Sequence, residues 1–256
     1  MKHFGWLLRI PRIVGYAALI LLFLPLYVFV RTVELLMSRT RGGRRTFFPR
    51  ETYSWVDQLE SSWKPIRSEL DQVLTNLDAV PSYHELSPEQ AYLIRDDKWK
   101  SMIFSVFGRP IARNCALCPE TARAVSEIPG LIYAMFSILK PGTHIAAHRG
   151  PYAGALNCHL ALKVPEREEE ARLRVGQDIR SWKEGKVFIF NDRHEHEAWN
   201  DSDTTRAVLL MYVVRPLPFP LSGLNWLVMA IGRRSSRVRD LVQRANEPPA
   251  PATRVA

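Results

Sequence analysis

Apolar residues fall along this chain in three regimes, and each predicts a different kind of element. From 13 to 30 the run IVGYAALILLFLPLYVFV holds no charged residue. At about 1.5 Å per helical residue it is just long enough to cross a bilayer core. Its Leu, Ile, Phe and Val side chains together favour insertion by roughly 5 kcal/mol. An N-terminal transmembrane helix is therefore predicted, with Pro25 as a tolerated kink. A cleaved signal peptide would have a shorter apolar stretch and a small-residue cleavage site, whereas here arginines follow directly. Between 53 and 77 the residues Trp55, Leu59, Ile66, Leu70, Val73, Leu74 and Leu77 recur at helical spacing, and Pro65 at a helix start divides them into two short helices. From 98 onward the period shortens. KWKSMIFSVFG, LIYAMFSIL, ALNCHLALKVP, ARLRV, KVFIFN and TRAVLLMYVVRP are short runs rich in β-branched and aromatic residues, separated by turn signals such as Pro141-Gly142 and Glu184-Gly185. Many short strands without long helices between them predict a mainly β sandwich or barrel with flanking helices.

After Pro216, Pro218 and Pro220 the pattern changes again. SGLNWLVMAIG is apolar but too short to span, and RRSSRVRDLVQR is strongly basic. An interfacial helix on anionic lipid and a helix capping the barrel both fit this tail. The chain thus divides into an anchor with a basic linker at 1–50, a strand-rich domain at 51–220 and a basic, partly apolar tail at 221–256.

Charge sharpens the membrane reading. With 35 Lys and Arg against 26 Asp and Glu the net charge is +9, and Arg31, Arg39, Arg41, Arg44, Arg45 and Arg50 crowd the stretch after the apolar run. Lys2, Arg9 and Arg12 precede it, a smaller group, so the positive-inside rule places the body on the cytoplasmic side of a single-pass span. The arginines do not interleave with strand aromatics, which argues for an anionic membrane surface as partner and against nucleic acid. Three cysteines make no disulfide framework, and Cys115 and Cys118 read as packing thiols.

Five of the seven histidines lie between His144 and His196, inside the strand-rich block. Neutral imidazoles suit iron, zinc, copper or nickel and do not name the metal. The generic non-haem iron pattern adds a carboxylate two residues after the first histidine, and after His148 that position is Gly150.

The ordered motifs SILKPGTH at 137–144, HRGP at 148–151, HLAL at 159–162, WKEGK at 182–186, HEHEAW at 194–199 and Arg206 resemble the aspartyl/asparaginyl β-hydroxylase family over roughly 95–216. Its anchored bacterial members include lipid A 2-hydroxylases. The resemblance implies a double-stranded β-helix, a cupin-like jelly roll that binds Fe(II) and 2-oxoglutarate, with O2 as second co-substrate. It places His148 and His196 as the iron ligands, water standing in for the carboxylate absent at Gly150. It places Arg206 on the far carboxylate of 2-oxoglutarate beside Ser137, and Trp99, Asn157 and His159 as further co-substrate contacts. Where the family usually has Arg-x-His, this chain has Asn157-Cys158-His159, which keeps hydrogen bonding and loses a positive charge. The implied activity is hydroxylation of a C–H bond. A lipid A acyl chain at the cytoplasmic face of the bacterial inner membrane is the expected substrate. The alternatives are an Asp or Asn residue of a protein, or a degenerate, non-catalytic membrane-bound member.

Overall fold

Two antiparallel sheets of unequal size face each other, and the larger is covered on both sides. The computed structural model describes residues 10–94 and 96–247, with side-chain surroundings from Leu24 onward. In chain order the helices are α1 (Ile10–Arg39), α2 (Val56–Ser61), α3 (Trp63–Leu74), α4 (Tyr83–Leu86), α5 (Ala112–Leu117), α6 (Pro119–Ser126), α7 (Leu221–Gly232) and α8 (Ser236–Asn246). The strands are β1 (Phe47–Phe48), β2 (Trp99–Val106), β3 (Arg109–Pro110), β4 (Leu131–Leu139), β5 (Thr143–His148), β6 (Ala155–Lys163), β7 (Ala171–Val175), β8 (Asp178–Ser181), β9 (Val187–Phe190), β10 (His196–Asn200) and β11 (Arg206–Val214). The large sheet runs β1-β9-β6-β11-β4-β2-β3 and the small one β5-β10-β7-β8.

Alternation along the central strands assigns two faces. Leu156, Cys158, Leu160 and Leu162 of β6 join Ala207, Leu209, Met211 and Val213 of β11 against Ile66 and Leu70 of α3 and Val125 of α6. The opposite face of the large sheet, with Met135, Leu139, Ala161 and Val208, meets Ile145, Leu173, Val175 and Ala198 of the small sheet. A strand buried on both faces has no polar side to show to water, which is why β4, β6 and β11 read as largely apolar runs, interrupted at Ser137, Asn157, His159 and Arg206 where they line the cavity.

The helical layer is fastened by buried carboxylates. Glu69 of α3 accepts from the backbone amides of Glu120 and Thr121 at 2.7 and 2.8 Å and from the Thr121 hydroxyl at 2.6 Å, so a negative charge sits on the first turn of α6. Pro119 occupies the first position of that helix, as its sequence suggests.

The 31–50 stretch expected as a linker is ordered. α1 continues to Arg39 because nothing breaks it before Gly42-Gly43, and the next turns lie on the 191–194 loop, where Asn191 donates its amide to Thr46 O at 2.8 Å and its side chain to Gly43 O at 3.3 Å. Val33 and Met37 of α1 are buried beside Ala153. Among the described residues no helix is long and apolar enough to cross a membrane; most of the expected 13–30 span lies outside the residues whose side-chain surroundings are described. The tail forms two helices: α7 packs on α1, whereas α8 covers α4, α5 and β2 with Val238 and Ala245 buried, the capping position that is one of the two readings expected of it.

Candidate functional site

β5 and β10 pair antiparallel with His148 directly opposite His196. Both side chains therefore leave the small sheet on one face, and their ring centroids stand 4.1 Å apart. Each Nδ1 lies against a backbone carbonyl two residues earlier, Ala146 O at 2.8 Å and His194 O at 3.1 Å. A carbonyl only accepts, so Nδ1 carries the proton in both rings and both Nε2 lone pairs are left for something else. Burial pushes both rings down from the ordinary imidazole range, and the neighbouring His148 helps bring His196 to about 3. Two neutral imidazoles with Nδ1 held by carbonyls and Nε2 free have the form of metal-ligating histidines.

The pair opens into a cavity of about 270 Å³ between the sheets, the small end of the range for ligand pockets. Trp99, Ser137, Asn157, His159 and Arg206 line it too. The structure thus gathers every site residue expected from the sequence, these five on neighbouring strands of the large sheet and His148 and His196 on the small one. β11 lies between β4 and β6, which sets Leu210 against His159 and Tyr212 against Asn157, and Val208 against Ser137.

Arg206 is 1% exposed. Its guanidinium lies 4.3 Å over the Trp182 ring and donates to Ser137 O at 3.3 Å, while its Nε has no partner. Burial pulls it down to about 9, still charged at neutral pH. Among the described residues no carboxylate pairs with it, although the partly buried Arg67 and the exposed Arg123 have such partners. A buried cation without an anion is costly, so the cavity is built for a negatively charged guest.

The remaining donors agree. Trp182 donates Nε1–H to His159 Nδ1 at 3.2 Å, which fixes the proton of this neutral ring on Nε2, and that buried nitrogen has no acceptor. Burial first, then Arg206 and His196, holds His159 well below its ordinary value. Trp99 donates to Ser137 Oγ at 3.0 Å, leaving the Ser137 hydroxyl proton to be given away. The Oδ1 of Asn157 is buried and unpartnered.

Sequence reasoning missed two contributors. Trp182, fully buried, supports both Arg206 and His159. Asp192 lines the cavity, and a β-carbon added at Gly150 would fall inside its carboxyl group. The space that a residue-150 side chain would need is therefore filled from another part of the chain. Burial raises the Asp192 carboxyl to about 7, opposed by the Tyr212 hydroxyl that donates to it at 3.3 Å. Its neighbourhood to Gly150 is a property of the fold, with no spacing signal to announce it. His144 stands apart, stacked on Trp199 and 3.0 Å from Glu197.

Comparison with known proteins matches residues 60–216 to the family model described as aspartyl/asparaginyl beta-hydroxylase. An ornithine lipid ester-linked acyl 2-hydroxylase from Rhizobium tropici is 39% identical over 77% of this chain and 70% of its own length. The aspartyl/asparaginyl beta-hydroxylase of Mus musculus is 33% identical over 66% of this chain, which spans 23% of that protein. Among solved structures, a cupin 2 conserved barrel domain protein from Salinispora arenicola is 11% identical and covers 54% of this chain and 92% of that one, with a TM-score of 0.31, a distant likeness only.

Proposed function

The chain belongs to the aspartyl/asparaginyl beta-hydroxylase family, and from that membership we propose that it is an Fe(II)- and 2-oxoglutarate-dependent hydroxylase of a membrane-lipid acyl chain. One observation carries the chemistry: two facing imidazoles with free Nε2 atoms share a cavity with a buried arginine that has no carboxylate partner. His148 and His196 would hold the iron through Nε2. Arg206, with the Ser137 hydroxyl, would take the far carboxylate of 2-oxoglutarate by a charge-assisted fork. The Nε2–H of His159 is a further donor, and Asn157 supplies an amide where the family usually has a cation. Trp99 and Ile145 wall the cavity and exclude water. A loaded centre of this kind supplies the coupled oxidation, by O2, of 2-oxoglutarate to succinate and CO2 and of a C–H bond to an alcohol. Everything else is positioning by the chain.

The relative from Rhizobium tropici supports a lipid substrate. Acyl 2-hydroxylation, the reaction in that relative's name, and the β-hydroxylation of aspartate share one chemical feature, since in both the hydroxylated carbon is next to a carboxyl or ester carbonyl carbon. An acyl ester of lipid A and one of an aminolipid both offer that carbon. We place the body on the cytoplasmic face of a bacterial inner membrane, with the apolar run at 13–30 as its span. The test is mass analysis of lipid extracts from cells with the full chain, with a His196→Ala variant and with neither. A product heavier by one oxygen that depends on His196 supports the proposal, and its mass identifies the lipid. Unchanged lipids together with His196-dependent succinate release would move the substrate to a protein side chain. Absence of succinate release above the variant would make the chain a binding module.

A further inference from the structure

α7 is built inside out. Its buried residue is the polar Asn225, which donates to Gly154 O at 2.8 Å. Outward face Trp226, 70% exposed, with Leu227 and Ile231, and Phe219 just before the helix is 87% exposed. A helix bathed in water does the reverse. Beside it, the turn after β2, Arg109 of β3, the ends of β4 and β11 and the outer turns of α7 line an open cavity of about 720 Å³, which shares no lining residue with the histidine site. Leu131, Trp226 and Met229 form its apolar part, and Arg109, Arg233 and Arg234 bring three guanidinium groups. None of the three pairs with a carboxylate among the described residues, whereas Arg67, Arg123, Arg172 and Arg174 all do.

We propose that this cavity seats one anionic phospholipid of the bilayer, with its phosphate among Arg109, Arg233 and Arg234 and its acyl chains along Trp226 and Met229. Charge complementarity is the first support: guanidinium forks match phosphate oxygens, and among the described residues no carboxylate neutralises these three, Arg234 donating only to Ala230 O at 3.1 Å. Continuity is the second. α7 packs on α1 through Leu224 and Val228 against Val33 and Met37, and α1 exposes apolar residues of its own, Tyr27, Val28 and Leu35. A tryptophan followed by arginines along one helix is the order in which a bilayer presents acyl boundary and head group. The bound lipid would fix the tilt of α1 and the body together against the membrane plane. The proposal rests on the membrane placement given above and is independent of the chemistry at the histidines.

The test uses the full chain in a non-ionic detergent, titrated with phosphatidylglycerol or phosphatidylcholine carrying brominated acyl chains, which quench tryptophan on contact. Saturable quenching is expected for phosphatidylglycerol at an affinity about tenfold or more above phosphatidylcholine. The saturable part should vanish in Trp226→Phe. The Arg109→Gln/Arg233→Gln/Arg234→Gln variant should bring both lipids to the same weak affinity while leaving circular dichroism unchanged. Equal binding of the two lipids, or a preference that survives the triple variant, would overturn the site. So would displacement by millimolar inorganic phosphate with the same strength as lipid, which would make it a free-anion site. Metal affinity, read in the same samples against His196→Ala, separates the outcomes: metal binding lost with the lipid preference kept counts against the hydroxylase, and the reverse counts against this cavity.

Discussion

Arg206 can lose its shape while keeping its charge, which makes it the sharpest probe of the cavity. Arg206→Lys leaves a cation without the planar fork, so 2-oxoglutarate affinity should fall about ten- to a hundredfold, the weight of one charged hydrogen bond, with metal affinity unchanged; the co-substrate KM checks this. Gly150 gives the opposite experiment. Restoring the generic triad by Gly150→Asp is expected to weaken metal binding, because the new side chain collides with Asp192; a metal titration reads the sign. Acid behaviour separates His196 from Asp192. Between about 3 and 6.5 the unfolded chain protonates His196 and the folded one does not, so stability is full above that window and falls as pH drops through it. Asp192 acts the other way between 3.8 and about 7, where the folded state keeps a proton that the unfolded state has lost. Removing that opposition in Asp192→Asn should steepen the loss of melting temperature from pH 6.5 to 4 in metal-free protein. The cavity residues His148, His196, Arg206, Ser137 and His159 were legible through the order of motifs that carry them, and Trp99 and Asn157 through the same resemblance. Asp192 and Trp182 were not assigned roles, since what they do depends on which strands the fold brings beside them.

Elements were legible in proportion to how completely they are buried. The doubly covered strands β4, β6 and β11 declare themselves as apolar runs, but β5 and β10, which carry the two histidines, have one open face and alternate with polar residues. β8 is almost wholly exposed. Their strand character comes from pairing with β7 and with each other, a long-range cause that local composition does not report. α5 was missed because it is short and has no buried residue. α6 depends on a distant carboxylate, so Glu69→Ala should cost about 2 kcal/mol, seen as a lower melting temperature with unaltered metal affinity. α8 reaches the site through Leu241, which lines the cavity, and is tied to α4 where Arg244 donates to Leu86 O at 3.2 Å. On the proposed lipid substrate, Leu241→Ala should raise the KM several-fold and leave metal binding alone, as expected of a cavity wall that is not a metal ligand.

On the scale of the molecule, the charge pattern and the apolar run direct attention to the membrane, while the manner of attachment emerges only from the fold. Glu34, buried on α1, accepts from Arg31 at 2.6 Å and from the amide of Ala153 at 3.2 Å, and lies 3.5 Å from Arg193. Arg193 in turn donates to Gly150 O at 2.8 Å, next to the histidine pair. Glu34→Ala would strand Arg193, and a loss of about 3 kcal/mol is expected, measurable as a lower melting temperature of the full chain. The same joint leaves no swivel between stalk and barrel. Anchored as proposed, a reaction chamber on a stiff stalk would work at one height, so every lipid drifting past would meet it at the same level, and the carbon oxidised would be chosen by how far it lies from the membrane plane, much as a lathe tool held in a fixed post cuts at a single radius.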